Sequence, residues 1–467
     1  MQAETGTGGI HRAQRAVWSD WAASAVTPGV AAHMLSGFHY FLKVLPMTTI
    51  PAPAAPETIH DSETPLESIS RKVREGRRLT LEEGRALFET EDVWSVLELA
   101  DLVRRRMHGN RAYYNINRHF NYSNVCALSC KFCEFYRKKG EDGAYTRSFE
   151  DAQSEARTAL NAGATEMHIV GGLHPYLPWD YYPDLMRALK DVAPELHLKA
   201  FTAVEVVHLA KIAKKYKKDD RTAGIRWVLS ELKDAGLGSL PGGGAEVFDD
   251  RVHDEAFKGK IRSDVWLDVH RVAHELGLNT NATMLYGHIE RLDDRLVHME
   301  MLRTAQDEAL ARLGYDADGD GAITLSREDA ELPTPDEARG GYFQTITPLP
   351  FFPDGSELEN HYGPDGLENL RTIAVTRLML DNFPHVKTFW IMQTLAMSQL
   401  MLESGADDID GTVVWYDITK VGGAGTHQET TVQDLHRACR EAGFEPVERD
   451  TLYRQVERDG KSWKVKG

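Results

Sequence analysis

The chain has 467 residues, a formal net charge of −17 and a mean hydropathy of −0.42. Hydrophobic residues at 42% and charged residues at 27% form an ordinary globular mixture, enough for one large domain or two to three smaller ones. The acidic balance argues against a general nucleic-acid binder, the absence of an apolar run of about 18 residues argues against a membrane span, and four cysteines are too few for a disulfide scaffold.

Residues 1–60 mix Gly, Ala, Pro and Thr with short apolar pieces and read as a poorly ordered extension. A translation start near Met47 and a targeting peptide are the two readings of that extension. Between 61 and 110, "LESISRKVREGRRLTLEEGRALFETEDVWSVLELADLVRRRMHG" spaces apolar residues three to four apart and predicts amphipathic helices.

From residue 111 strand-like runs alternate with helix-like ones. The candidate strands are "YYNINRHF", "TEMHIVGG", "LHLKAFT", "GSLPGG", "LNTNATMLYG", "YFQTITPLP", "VKTFWIM" and "DIDGTVVW". Between them lie segments such as "DAQSEARTALNAG" and "RWVLSELKDAG", which end near a glycine suited to a helix C-cap. Eight strands alternating with helices predict an α/β fold, a (β/α)8 TIM-like barrel over 111–416, with a doubly wound sheet as the alternative. Residues 417–467 form a C-terminal α/β extension expected to pack on the barrel. The cysteines, "GGLHP", "TAVE", "PGGGAE", "YGHIE" and "TPLPFFPDG" all follow predicted strands, and a barrel gathers such loops on one rim.

Two stretches read as insertions. "KKYKKDD" at 214–220 is a solvated loop. The stretch 316–337 carries eight acidic residues against one arginine. It resembles an EF-hand loop in Asp316, Asp318, Asp320 and Gly321, yet has Arg327 where the twelfth-position Glu belongs and Glu328 one place late. It is expected either to bind Ca²⁺ at 316–328 or to be a solvated acidic hairpin that catalysis does not need.

Three of the four cysteines, Cys126, Cys130 and Cys133, fall within eight positions as C-x-x-x-C-x-x-C. Structural zinc needs four ligands, and Cys439 stands alone on a predicted helix. A thioredoxin-like pair leaves the third cysteine without a purpose. Thiolates also hold iron–sulfur clusters, and three of them on a four-iron cluster leave one iron open.

This spacing after a first barrel strand, with Phe132 just before the last cysteine, resembles the radical S-adenosylmethionine (SAM) superfamily. The resemblance implies a [4Fe-4S] cluster on Cys126, Cys130 and Cys133, SAM chelated at the open iron, and reductive cleavage to a 5′-deoxyadenosyl radical. It also implies that Gly171 and Gly172 lie near the SAM amino group and that Glu205 holds the ribose hydroxyls. Gly243 and Glu246 in "PGGGAE" offer a further close-approach backbone and carboxylate.

The runs "YYNINRHFNYSNVCALSCKFCEFYR", "HIVGGLHPYLPWDYY", "GLGSLPGGGAEVFDDRVH", "ATMLYGHIE" and "FQTITPLPFFP" narrow the resemblance to the menaquinone and deazaflavin biosynthesis branch. Within it the aminofutalosine synthases of the futalosine route are most similar. That implies addition of the adenosyl radical to 3-[(1-carboxyvinyl)oxy]benzoate, giving 6-amino-6-deoxyfutalosine. It further implies SAM as a consumed cosubstrate, a flavodoxin or ferredoxin as electron donor, and a cytoplasmic enzyme. A doubly anionic substrate needs cationic or N–H partners, and His174, Arg262 and His288 are the rim candidates. The alternatives are a dehypoxanthine futalosine cyclase, a deazaflavin-synthase-type enzyme and, from another class, a non-enzymatic iron–sulfur electron carrier.

Overall fold

The computed structural model describes residues 64–319, 322–326, 332–336, 338–412 and 429–466. The extension 1–60 lies outside them, as do Asp320, Gly321, Arg327 and Glu328 of the acidic insert and positions 413–428. Among the described residues three helices, Pro65–Arg74, Leu81–Glu89 and Val93–His108, precede the first strand. Thr64 with Glu67 and Thr80 with Glu83 close capping boxes on the first two, which satisfies amide groups that a helix start leaves open.

Among the described residues twelve strands follow: β1 Arg111–Asn115, β2 Asn117–Phe120, β3 Glu166–Ile169, β4 His197–Ala200, β5 Leu237–Leu240, β6 Asn279–Tyr286, β7 Phe343–Pro350, β8 His385–Val386, β9 Asp408–Gly411, β10 Glu445–Glu448, β11 Val456–Asp459 and β12 Ser462–Val465. Strands β2 to β8 form one seven-stranded sheet in sequence order, every pair parallel. Lys387 then bridges to Asp408, and Thr388 N donates to Asp408 O at 2.8 Å, so β9 continues the sheet beside β8. β9 pairs in turn with β1, from which only Ile116 separates β2. The pairings therefore return to their start, and the fold is a parallel (β/α) barrel whose first strand is bent into β1 and β2.

The interior logic is that of parallel sheets: β6 and β7 are buried along nearly their whole length, as strands covered on both faces must be. The crossover helices Phe149–Asn161, Arg221–Asp234 and Ser263–Glu275 stop where the sequence expects. Gly163, Gly236 and Gly277 follow them with φ of 74°, 111° and 75°, a backbone state that costs other residues energy. No helix among the described residues is long and apolar enough to cross a membrane.

Two expectations change. The run "VKTFWIM" is strand only at its start, because Trp390–Gln393 makes a short helix that buries Trp390 and Ile391. The acidic insert is not solvated throughout: Ile323 and Leu325 are buried with Met107 and Leu310, and Leu325 N donates to Asp381 O at 3.0 Å. Asp318 spends a side-chain oxygen on Ala322 N at 2.9 Å, a local turn contact. The C-terminal segment supplies β10, which adds to the outer edge of β1 in register from Arg111↔Glu445 to Tyr114↔Glu448.

Candidate active site

The loop after β2 carries the cysteines, and its shape is set by polar contacts. Asn121 Nδ2 donates to Val170 O at 2.9 Å, and the Asn124 side chain donates to Gly143 O and accepts from Tyr145 N. Lys138 Nζ donates to the carbonyls of Cys126 and Leu128 at 3.1 and 2.8 Å, stapling the cysteine segment from behind. Cys126 Sγ accepts from the amides of Leu128 and Leu173 at 3.4 Å each.

All three cysteines are free of disulfides and line one cavity of about 270 Å³ at the C-terminal ends of the strands. Phe132, Gly171, Gly172, Glu205, Gly243 and Glu246 line the same cavity, so nine residues singled out from sequence converge there. A larger cavity of about 520 Å³ lies at the other end of the barrel, around Arg111, Tyr342 and His385. It contains no cysteine and faces the N-terminal ends, which in barrels serve stability rather than chemistry.

The donor set fits a cluster better than a single ion. Among the described residues the three thiols are not drawn within 4.8 Å of one another, as one metal ion would require. A four-iron cluster takes each thiolate on a different iron and needs wider spacing. The walls are apolar, with Phe135, Phe351, Phe352 and Met392 beside the cysteines. Burial pushes the Cys130 thiol up to about 11, the signature of a dry pocket.

The glycines are there for space. A Cβ on Gly171 would sit 2.6 Å from the Tyr122 ring, and one on Gly172 would strike the Val125 carbonyl, 2.8 Å from its carbon. Both would push the loop off the cysteine segment. Glu205 is the third residue of the helix Ala203–Ile212, not a strand-end residue, and Thr202 caps it through a capping box. One carboxylate oxygen accepts from Tyr122 Oη at 2.8 Å and Gly171 N at 3.0 Å, the other from Thr202 N and Oγ1 at 2.7 and 2.8 Å. With both oxygens engaged by the protein, Glu205 ties three rim loops together.

Burial outweighs those four donors and raises the Glu205 carboxyl from 4.5 to about 7. Its folded-state pKa lies above its unfolded one, so the folded protein binds the extra proton between those values. Stability from this group is therefore present below about pH 4.5 and is lost as pH rises to about 7, by about 3 kcal/mol in total. Urea unfolding of the wild type and Glu205→Gln across pH 4.5–7.5 is expected to show that loss in the wild type only. Parallel curves for both would contradict it.

The three candidates for the substrate's anionic groups do not line the cavity. His174 Nδ1 accepts from the amides of Tyr176 and Leu177 at 3.1 and 3.0 Å, closing its own turn. Arg262 is exposed and pairs with Asp250 and, at 2.8 Å, Asp254. His288 is occupied by Leu285 O at 3.1 Å and lies 3.3 Å from Glu290. Local partners a few residues away, or on the neighbouring helix, engage each group, although His288 Nδ1 is buried without a hydrogen-bond partner among the described residues.

Cations that sequence reasoning passed over stand in their place. Lys260 lines the thiol cavity, pairs with Glu246, and sits 4.8 Å from the centre of the Phe132 ring. Burial works against its charge, but Glu246 and the nearby Cys130 hold its pKa above the ordinary lysine value. Glu246 has φ 48°, an uncommon state for a residue with a side chain, which suggests that its placement beside Lys260 is bought with backbone strain. A second chamber of about 130 Å³ opens from the first, with Val170, Thr202, Gly243 and Leu349 common to both. Lys199, Lys387, His119, His168 and Asp410 line it from inside the barrel.

The profile of the Radical SAM superfamily matches residues 120–302, and that of the CofH/MqnC C-terminal region matches 341–461. An aminodeoxyfutalosine synthase of Thermus thermophilus is 40% identical over 392 residues, covering 83% of this chain and 95% of that one. An aminodeoxyfutalosine synthase of Streptomyces coelicolor is 41% identical over 396 residues, covering 82% and 92%. Among solved structures, methylornithine synthase superposes with a TM-score of 0.59 at 16% identity, over 81% of this chain and 97% of that one, a likeness of fold. The chain is an enzyme of the radical SAM superfamily, in the branch that contains the aminodeoxyfutalosine synthases.

Proposed function

We propose that this enzyme joins the 5′-deoxyadenosyl group of SAM to 3-[(1-carboxyvinyl)oxy]benzoate and forms 6-amino-6-deoxyfutalosine, a step of menaquinone biosynthesis in the cytoplasm. The observation that carries the reading is similarity to named synthases along nearly their whole length, together with a three-thiol cavity that opens into a lysine-bearing chamber. Cys126, Cys130 and Cys133 would hold a [4Fe-4S] cluster. When bound and reduced by a flavodoxin or ferredoxin, it supplies the electron that splits SAM into methionine and the adenosyl radical.

The chain's own residues do the rest by position. The Gly171–Gly172 and Gly243 backbones allow close approach of SAM, with Phe132 alongside. Glu205 fixes that backbone through Gly171 N, while Lys260 and Glu246 offer a cation and a carboxylate to the SAM carboxylate and amino groups. The aromatic wall of Phe135, Phe351 and Phe352 keeps water and stray hydrogen donors from the radical. Addition of that radical to the vinyl carbon, rearrangement and loss of the carboxyl carbon as CO2 would give the product once the last radical gives back the one electron spent on SAM, so the overall reaction is redox-neutral and consumes SAM.

The C-terminal match to the CofH/MqnC region favours a second reading, cyclisation of dehypoxanthine futalosine after hydrogen abstraction. Anaerobically reconstituted enzyme given SAM and reductant should be offered each substrate in parallel. Mass spectrometry is expected to find the adenosyl adduct from the enolpyruvyl benzoate and no turnover of the nucleoside. Turnover of the nucleoside alone would replace the proposal with the cyclase.

A further inference from the structure

We infer that the inner chamber receives the aromatic carboxylate of the substrate, with Lys387 as its cationic partner and His168 as a second hydrogen-bonding group. This deepens the function proposed above and rests on it. The described lining of the two joined cavities offers three lysines: Lys260, Lys199 and Lys387. Lys260 stands among the thiols and is paired with Glu246. Lys199 is fully buried in β4 and pairs with Glu166 at 2.5 Å.

Lys387 is different. Its Nζ donates to Asp410 Oδ1 at a relaxed 3.2 Å, the one hydrogen bond it makes among the described residues, and an ammonium carries three N–H groups. Asp410 is buried with φ 63°, a backbone state that costs an L-residue energy and persists where surrounding structure enforces it. Asp410 N donates to Asp408 Oδ1 at 2.6 Å, which fixes that turn at the end of β9 and so fixes the Lys387 ammonium at the chamber wall.

The second observation is His168. Its Nε2 is buried and has no hydrogen-bond partner among the described residues, although its ring lines the same chamber. A buried polar atom without a partner is costly, and a ligand that completes it removes the cost. A carboxylate between Lys387 and His168 would satisfy both. The enol-ether end would then point out toward the thiol cavity, where the adenosyl carbon is released, and the ring would lie along Leu349 and Phe389.

The test is a thermodynamic cycle on reconstituted holoenzyme. Wild type and the double variant Lys387→Met/Asp410→Asn are each assayed with the benzoate and with its neutral benzamide analogue. Removing both charges avoids stranding a buried carboxylate. Wild type is expected to favour the acid by about 30-fold or more in kcat/KM, the scale of a charge-assisted hydrogen bond. The double variant is expected to discriminate by less than about threefold, with wild-type iron content and SAM affinity. Equal discrimination in both proteins, or a wild type that accepts the amide as readily as the acid, would overturn the assignment and leave the function standing; the wild-type arm does not depend on the variant's folding. A wild type inert toward the benzoate would overturn both.

Discussion

Replacing Cys130 with alanine is expected to remove the cluster and with it all SAM cleavage, a loss of about 10³-fold or more, while the fold survives. Cys130 is 6% exposed and packs among Val252, Ala256, Phe257, Leu285 and Phe351. Alanine there removes one sulfur from an apolar cluster and costs about 1–2 kcal/mol of stability. The functional loss has a different origin, since the remaining two thiolates leave a second iron without a protein ligand. Cys439→Ala is the matched control. That thiol is fully buried on the helix Val432–Glu441 beside Ala112 and Leu435, far in the sequence from the rim loops, and burial pushes it up to about 12. Iron and sulfide content and methionine release, measured on both variants, are expected to collapse for the first and to hold for the second. Wild-type methionine release from Cys130→Ala would remove the cluster assignment.

Gly172→Ala is expected to act on the same site without touching a ligand. The new Cβ would meet the Val125 carbonyl, which is backbone and cannot rotate away as a side chain would. Gly172 N donates to Ser123 O at 2.8 Å, and Leu173 exchanges contacts with Ala127 N at 2.9 Å and Cys126 Sγ at 3.4 Å. Relief of the clash must therefore shift the strand-end loop that carries Cys126. A cost of about 2–3 kcal/mol in stability and a large drop in bound iron are expected, because overpacking against fixed backbone has no inexpensive escape. Gly243→Ala, which meets only the Thr202 methyl at 3.1 Å, is expected to be far milder. Equal iron content in wild type and Gly172→Ala would show that the cradle is looser than its contacts indicate.

The parts of this molecule that could be read from sequence are those in which a residue type has few alternative uses. Three cysteines at one strand end, paired glycines at the next, and the glycines that close crossover helices, such as Gly163 and Gly236, have physical roles that local sequence largely decides. The eight-strand alternation was legible for the same reason, and the division of the first strand at Ile116 was not. The run around Trp390 misleads because an unbroken apolar stretch suits a buried strand and a buried helical turn equally well.

The cavity-lining cations were not legible, and the reason is specific. A lysine in a sequence is most often solvated, and only barrel closure puts Lys199, Lys260 and Lys387 inside. Conversely, His174, Arg262 and His288 stand near rim motifs in sequence, but short-range partners hold them elsewhere. Proximity to a motif indicates the loop, whereas the direction of a side chain depends on which neighbour satisfies it first. Glu205 illustrates the point within the site itself, since it faces the cavity while serving as a helix cap and a loop tie.

In the proposed reaction the adenosyl carbon becomes part of the product rather than leaving as 5′-deoxyadenosine. The most direct measurement supplies SAM labelled with ¹³C at the 5′ position to the reconstituted enzyme with reductant and 3-[(1-carboxyvinyl)oxy]benzoate, and follows where the label goes. The 5′ carbon is expected to be bonded to a substrate-derived carbon, with one product formed per methionine released. Label found only in 5′-deoxyadenosine, with methionine in equal amount, would contradict it and return the enzyme to hydrogen-abstraction chemistry.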